Sequence, residues 1–136
     1  MQQNGHSPLI IGHRGASALA PENTLAAFQK AVEDGADRLE FDVRLAKDGV
    51  PIVFHDATLR RIAGKNLRVI NLASEELQTL DVGSWFNAKY PAKYDGRFSR
   101  ETVPTLKRFL DFLGDYKGIL YLELKCREAE ILQLVK

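Results

Sequence analysis

The sequence has 136 residues, of which 45% are hydrophobic and 27% are charged, and its formal net charge is +1. A chain of this size can bury a core, and its composition argues against a disordered protein. The near-neutral charge gives no sign of the clustered basic surface typical of nucleic-acid-binding proteins, and the basic residues are scattered singly or in pairs, so no nucleic-acid partner is expected.

The cysteine content and the termini give no sign of secretion or of membrane insertion. The single cysteine, Cys126, cannot form an intramolecular disulfide, so no oxidising compartment is required. The N-terminal residues lack the charged and apolar regions of a secretory signal. No stretch approaches the roughly 20 apolar residues that a membrane span needs. These features predict a cytoplasmic protein with no membrane span.

The first predicted elements are a strand and a helix. The apolar residues 9–11 predict a buried strand that ends at residues 12–15, with His13 at its carboxyl-terminal end. A helix follows from Asn23 or Thr24, either of which can cap its free N–H groups, and Gly35 stops it. The apolar side chains of its predicted buried face are Leu25, Phe28 and Val32.

Two further strands are predicted over residues 39–43, which alternate apolar and polar side chains, and over residues 51–55. Only nine residues separate Asp42 from Ile52, and they include the turn pair Asp48-Gly49. A parallel crossover needs a dozen or more residues, so we predict a hairpin instead. A turn centred on that pair would bring His55 back opposite Asp42.

The remaining sequence contains an irregular segment and then a further helix and strand. Residues 57 to about 103 fit the alternation poorly, and we interpret them as an inserted subdomain. A second amphipathic helix is predicted over residues 106–113, a strand over residues 119–125 and a final helix over residues 128–136. This order predicts an α/β fold with a largely parallel sheet.

Ionisable side chains are found at the carboxyl-terminal ends of four predicted strands. They are His13, Glu40, Asp42, His55, Glu123 and Lys125. This end of the strands is where α/β barrels and open α/β sheets hold their active sites. One such residue would more simply be structural, but a set spread over four strands favours a functional site.

The residue types in this set indicate metal-assisted phosphoryl chemistry. Three carboxylates that face one another repel unless a cation lies between them. Without a thiol they favour a hard cation, Mg²⁺ or Ca²⁺, whereas zinc, which would draw on the histidines, is the lesser alternative. The two histidines suit acid–base work near neutral pH. Arg14 and Lys125 supply positive charge for an anionic substrate such as a phosphate.

Seven motifs link these residues along the sequence. They are His13-Arg14-Gly15, Pro21-Glu22-Asn23-Thr24, Gly35-Ala36-Asp37, Glu40-x-Asp42-Val43, Lys47-Asp48-Gly49, Val53-x-His55-Asp56 and Glu123-x-Lys125. In order, residue type and spacing they resemble the glycerophosphodiester phosphodiesterase family, over nearly the whole chain. The resemblance implies a (βα)₈ barrel of TIM type with its site at the carboxyl-terminal ends of the strands.

The resemblance also implies a role for each candidate residue. The catalytic acid–base pair of the family corresponds to His13 and His55, and its metal ligands correspond to Glu40, Asp42 and Glu123. The phosphate-contacting positions correspond to Arg14 and Lys125. The positions that support the site correspond to Glu22 and Asn23. The implied reaction hydrolyses a small glycerophosphodiester to glycerol 3-phosphate and an alcohol, through a cyclic phosphate formed by the glycerol 2-hydroxyl. Which histidine is the acid and which the base stays open.

Two departures from the usual family pattern are Ala46, where threonine is common, and Arg61-Ile62-Ala63, which replaces a more polar stretch after His55. Neither position is assigned to the chemistry.

Length limits the expected scaffold, because an eight-stranded barrel typically needs about 250 residues. Residues 1–136 therefore correspond to the N-terminal half of the barrel, a partial domain with the inserted subdomain at about 57–103. A half-barrel exposes strand edges and apolar surface, so we expect a longer product or self-association.

Two alternatives to the implied function stay open. One is a truncated domain that binds metal or phosphate without turnover, and the other is a related phosphodiesterase that acts on sphingomyelin or inositol lipids.

Overall fold

The computed structural model describes residues 7–125 and shows an α/β fold. Within this region the strands are β1 (Ile11–His13), β2 (Arg38–Leu45), β3 (Pro51–Val53) and β4 (Ile119–Leu124). The helices are α1 (Leu25–Glu33), α2 (Arg60–Ala63), α3 (Ser74–Leu77), α4 (Ser84–Lys89) and α5 (Leu106–Leu113), with 3₁₀ turns at Val69–Asn71, Pro91–Lys93 and Gly96–Arg100. None of the helices described is both long and apolar enough to cross a bilayer. Cys126 and the helix predicted over 128–136 lie outside the described residues.

β2 is the central strand of the sheet. β1 pairs with it in parallel along one edge, and β4 pairs with it in parallel along the other. β3 runs antiparallel beside the last residues of β2, where Val43 lies opposite Val53. Because Val43 also pairs with β4, β3 must share the edge that β1 occupies. The three parallel strands therefore bring their carboxyl-terminal ends together, and the predicted α/β class with a largely parallel sheet is confirmed.

The predicted hairpin between β2 and β3 is present, but its register differs by one residue from the expected one. Leu45 lies opposite Pro51, so the turn is centred on Asp48 and not between Asp48 and Gly49. The carbonyl of Asp42 consequently accepts a hydrogen bond from the N–H of Phe54 (3.0 Å), and His55 lies one residue further on. β3 also ends at Val53, two residues before the predicted end.

Helix α1 has the predicted ends but a different buried face. The Thr24 hydroxyl caps the helix by accepting a hydrogen bond from the N–H of Ala27, and Gly35 follows the helix with φ of +84°. Val32 is 38% exposed, whereas the buried residues of the helix are Ala27, Phe28 and Ala31. The helix turns its small side chains inward because it packs closely on β1, where an added Cβ on Gly12 would meet the Cβ of Ala31 at 3.0 Å.

Three phenylalanines join the helices to the sheet. The ring of Phe109 in α5 lies 4.3 Å from that of Phe28 in α1 and 4.5 Å from that of Phe41 in β2, measured between centroids. All three side chains are fully buried, and each such burial stabilises the fold by roughly 1.5–3 kcal/mol. Because side chains alternate along a strand, this packing leaves the opposite face of β2 to its polar residues.

The strands at the two sides of the described sheet are exposed. Leu9 and Ile10 are each 57% exposed and Ile11 is 49% exposed, so the prediction of a buried first strand is wrong. The strand also begins at Ile11, two residues later than predicted. Ile119, Leu120, Tyr121 and Leu122 of β4 are exposed as well, whereas Leu124 is partly buried. β1 and β4 each pair on one side only with the described strands, so no described element covers their outer sides.

Residues 57–103 contain short helices and turns that share a core with the hairpin. Helices of four to six residues are unstable alone, so packing must hold them. Phe86 is fully buried against Tyr90 and Phe98, and the Trp85 indole N–H donates to the carbonyl of Val82 (2.9 Å). The buried residues shared with the hairpin and its turn are Ala46, Ile52, Phe54, Leu59, Ile62, Val69, Leu77, Val82 and Val103. That this segment is a separate subdomain stays a prediction.

Gly15 and Gly35 offer a test of how tightly β1 joins α1. Both have positive φ (+81° and +84°), but a Cβ on Gly15 would lie 2.6 Å from the backbone carbon of Ala27, whereas one on Gly35 would meet nothing within 4 Å. Gly15→Ala is expected to lower the free energy of unfolding by about 3 kcal/mol, and Gly35→Ala by only about 1 kcal/mol. Urea unfolding of both variants gives the comparison, and equal losses would contradict the close contact.

Candidate active site

The carboxylates of Glu40, Asp42 and Glu123 meet where β1 and β4 end beside the middle of β2. One oxygen of each lies within 4.8 Å of the others. Glu40 and Asp42 are two residues apart on β2 and share a face, and the parallel register places Asp42 directly opposite Glu123. The structure therefore brings together the carboxylates that the sequence placed on two separate strands.

Burial makes this cluster electrostatically strained without a cation. Asp42 is fully buried, and desolvation together with the charge of Asp42 raises the pKa of Glu40. Two charges about 5 Å apart repel by roughly 3 kcal/mol at an effective dielectric constant of ~20. Glu40 Oε1 and Asp42 Oδ1 are buried and make no hydrogen bond with the residues described. Buried oxygens of this kind normally have a partner, so they fit a metal-binding site.

Glu123 and Lys125 form the exposed side of the cluster. The ammonium Nζ of Lys125 lies 2.6 Å from Glu123 Oε1, and this hydrogen bond lowers the pKa of Glu123. The N–H of Lys125 donates to the carbonyl of Val43 (2.9 Å), which continues the parallel pairing beyond β4. Lys125 thus places a positive charge beside the carboxylates.

Arg14 directly follows β1 and contacts two of the three carboxylates of the cluster. Its φ of +56° is uncommon for a residue with a side chain, and its N–H donates to both the carbonyl (2.8 Å) and the carboxylate Oε2 (3.2 Å) of Glu40. The guanidinium pairs through Nη1 with Glu22 Oε2 (3.0 Å) and through Nε with Asp42 Oδ2 (3.2 Å). Arg14 therefore lies in the site, but its expected contact with phosphate stays a prediction.

Glu22 and Asn23 also turn toward the site. Asn23 has φ of +55°, its N–H donates to the carbonyl of Arg14 (2.9 Å), and its side-chain Nδ2 donates to Asp42 Oδ2 (3.0 Å). Asparagine tolerates this left-handed conformation better than most residues do. The contacts of both side chains fit the predicted supporting role.

The two histidines have different surroundings. His13 is 63% exposed at the side chain, and its Nε2 lies 3.4 Å from Glu40 Oε2. His55 is 30% exposed, and its Nδ1 lies 2.7 Å from Asp56 Oδ1. Hydrogen bonds from Arg61 hold the pKa of Asp56 at about 2, so its carboxylate is ionised at neutral pH and only accepts. His55 must then donate from Nδ1, which leaves Nε2 for proton exchange.

Two arginines that the sequence analysis did not assign to the site also contact it. Arg44 donates from Nε to the carbonyl of His55 (2.7 Å) and from Nη1 to that of Lys125 (3.0 Å). It follows Glu40 and Asp42 at a spacing of two on β2, so the alternation of the strand could have identified it. Arg61 contacts Asp56 and Glu22, and no local sequence signal indicates either contact.

The family of the chain follows from a family model. The model for the glycerophosphoryl diester phosphodiesterase family matches residues 13–132. The chain belongs to this family. The match includes each of the predicted site residues and confirms the resemblance seen in the motifs.

Individual members of the family support the assignment. The chain is 39% identical over 117 residues to a glycerophosphodiester phosphodiesterase of Caldanaerobacter subterraneus subsp. tengcongensis, covering 86% of this chain and 45% of that protein. An Oleispira antarctica phosphodiesterase solved with its product sn-glycerol-3-phosphate is 36% identical, with a TM-score of 0.80, over 93% of this chain and 48% of that one.

A glycerophosphodiester phosphodiesterase of Agrobacterium tumefaciens is 41% identical with a TM-score of 0.78, over 95% of this chain and 52% of that one. The chain spans about half the length of the curated relatives it matches.

Arg61→Met tests the cause of the lowered pKa of Asp56. Without the guanidinium, the pKa of Asp56 is expected to rise from about 2 toward its ordinary value near 3.9. A lowered aspartate pKa stabilises the fold fully above about pH 4, and the stabilisation disappears as the pH falls toward 2. Carbon-detected NMR of the side-chain carboxyls measures the shift. Asp95, which Arg97 holds at about 2, is the internal control, and an unchanged Asp56 would contradict the assignment.

Proposed function

We propose that the chain carries the catalytic residues of a metal-dependent glycerophosphodiester phosphodiesterase, which releases glycerol 3-phosphate and an alcohol. One observation carries the proposal: a histidine lies beside each end of the carboxylate cluster. His13 contacts Glu40, and Arg44 joins the carbonyl of His55 to that of Lys125, whose ammonium contacts Glu123. A cation site between two proton-exchanging groups suits phosphodiester hydrolysis, because it combines charge stabilisation with general acid–base catalysis. The product seen in the Oleispira antarctica enzyme supports the same reaction.

Glu40, Asp42 and Glu123 would hold the metal. Their oxygens form an all-carboxylate set with two buried atoms that lack a hydrogen bond to the described residues, and such sets suit Mg²⁺ or Ca²⁺ better than zinc. When bound, the cation supplies positive charge that stabilises the charge developing on the phosphate oxygens. Arg14 and Lys125 flank the carboxylates, and we assign to them contacts with the remaining phosphate charge.

The two histidines perform the proton transfers. As the glycerol 2-hydroxyl attacks phosphorus, one imidazole accepts its proton, and the other donates a proton to the oxygen of the departing alcohol. The bond between phosphorus and that oxygen breaks, which leaves a cyclic phosphate that water opens with the two roles reversed. His55 exchanges its proton at Nε2 because Nδ1 is held by Asp56. Glu22 and Asn23 hold Arg14 and Asp42 in place.

The scaffold is proposed to be the N-terminal half of a (βα)₈ barrel. The parallel strands β1, β2 and β4, with α1 and α5 packed through Phe28 and Phe109 on one face of β2, support this assignment, and residues 57–103 would be its inserted subdomain. The exposed apolar strands β1 and β4 need cover, either from further barrel strands or from a second copy of the chain. The molar mass from light scattering distinguishes these two arrangements.

Hydrolysis of glycerophosphocholine tests the reaction. With Mg²⁺ or Ca²⁺ present, His13→Ala and His55→Ala are each expected to lower kcat by about 10²- to 10⁴-fold, because each removes one proton transfer. Enzymatic measurement of glycerol 3-phosphate reports the rate, and His6→Ala is the matched histidine control. If the chain forms no more metal-dependent product than His13→Ala does, it is a non-catalytic binding domain. If it prefers lysophospholipids, it is a related phospholipase-type enzyme.

Metal titration by calorimetry tests the carboxylate site independently of turnover. Asp42→Asn removes the central charge and is expected to weaken binding of Mg²⁺ or Ca²⁺ by more than about tenfold. Asp111→Asn, on an exposed carboxylate of α5 paired with Lys107, is the control and should bind as the unaltered protein does. Tight binding of zinc that persists in Asp42→Asn would contradict the assigned ligand set.

A further inference from the structure

We propose that Arg61 is a positioning residue that fixes the side chains of His55 and Arg14 relative to each other. The inference rests on the proposed function, which assigns His55 to proton transfer and Arg14 to the phosphate. Arg61 lies in α2, within the segment 57–103, and touches neither of the two residues directly. It acts through one carboxylate on each side, Asp56 and Glu22.

The first connection runs through Asp56 to His55. Arg61 donates from Nε to Asp56 Oδ2 (2.9 Å) and from Nη2 to Asp56 Oδ1 (3.0 Å). Asp56 Oδ1 also lies 2.7 Å from His55 Nδ1. With both oxygens bound to one planar guanidinium, the carboxylate cannot rotate, and the imidazole that donates to it is held in one orientation and one tautomer.

The second connection runs through Glu22 to Arg14. Arg61 donates from Nη1 to Glu22 Oε1 (2.7 Å) and from Nη2 to Glu22 Oε2 (3.0 Å). Glu22 Oε2 also accepts from Arg14 Nη1 (3.0 Å), and Arg14 Nε faces Asp42. Glu22 thus lies between the guanidinium groups of Arg14 and Arg61. Its negative charge offsets the repulsion between the two positive charges and links the two side chains.

Only arginine fits this position. Four of its five N–H donors are used, in two bidentate pairs on two edges of one plane, which a lysine ammonium cannot reproduce. The guanidinium also lies 5.7 Å from the centre of the Trp85 ring, so residues far along the segment hold it in place. The side chain is 44% exposed, and ion pairs this exposed stabilise folds little. We therefore infer that these ion pairs orient the side chains of the site more than they stabilise the fold.

The kinetic test compares adjacent arginines. Arg61→Met is expected to lower kcat/KM for glycerophosphocholine by about 10- to 100-fold, with a lower kcat and a higher KM, because both connections are lost. Asp56→Asn should lower mainly kcat, and Glu22→Gln should raise mainly KM. Arg61→Lys should not restore activity, whereas added guanidinium ion should partly restore Arg61→Gly. Arg60→Met is the matched control, since the exposed Arg60 side chain makes no hydrogen bond or ion pair with another described residue.

A measurement without turnover separates this inference from the proposed function. Nitrogen NMR at a pH where His55 is neutral should show a protonated Nδ1 in the unaltered protein and in Arg60→Met, and a mixture of tautomers in Arg61→Met. That result in a protein that hydrolyses no glycerophosphodiester would refute the proposed function and leave the positioning role standing. An active protein in which Arg61→Met matches Arg60→Met in kinetics or in the nitrogen spectrum would overturn the positioning role.

Discussion

Asp42 is a fully buried carboxylate in the central strand, and its negative charge has to be compensated by the residues of the site around it. A buried charge is tolerated only with close partners of opposite charge or with hydrogen-bond donors. Arg14 and Asn23 provide these partners, and both adopt left-handed backbone conformations to do so. The tight packing of Gly15 on α1 fixes the chain between them. One oxygen of Asp42 is left without a hydrogen bond to the described residues, and the Asp42 carboxylate lies within 4.8 Å of those of Glu40 and Glu123.

The central strand β2 serves the core and the site at once. Phe41 packs against Phe28 and Phe109, while its neighbours Glu40 and Asp42 point to the opposite face. Rigid aromatic packing on one face therefore holds the carboxylates on the other, as a preorganised site requires. The segment 57–103 adds a second source of rigidity, because its arginine binds two carboxylates that themselves hold site residues.

The family model matches residues 13–132, a range that contains every predicted site residue, but the chain spans about half the length of the curated relatives it matches. The arrangement of the site residues can thus be considered separately from the completeness of the barrel scaffold. Within the described residues, His13 contacts Glu40, Lys125 contacts Glu123 and His55 contacts Asp56. β1 and β4, in contrast, expose apolar side chains, and no described strand pairs with their outer edges.

The sequence alone determined the features that depend on neighbouring residues: the α/β class, a helix cap at Asn23 or Thr24, the Gly35 stop and the strand alternation that pairs Glu40 with Asp42. The structure then showed that Thr24 is the cap. It also predicted the family, because motif spacing is local information. Contacts between distant segments required the tertiary structure. The hairpin register differed by one residue because loop geometry is decided by packing, and α1 buried alanines because helix and sheet approach closely. Arg61 is the clearest case: its two carboxylate partners come from different segments, and only the folded chain brings them to one guanidinium.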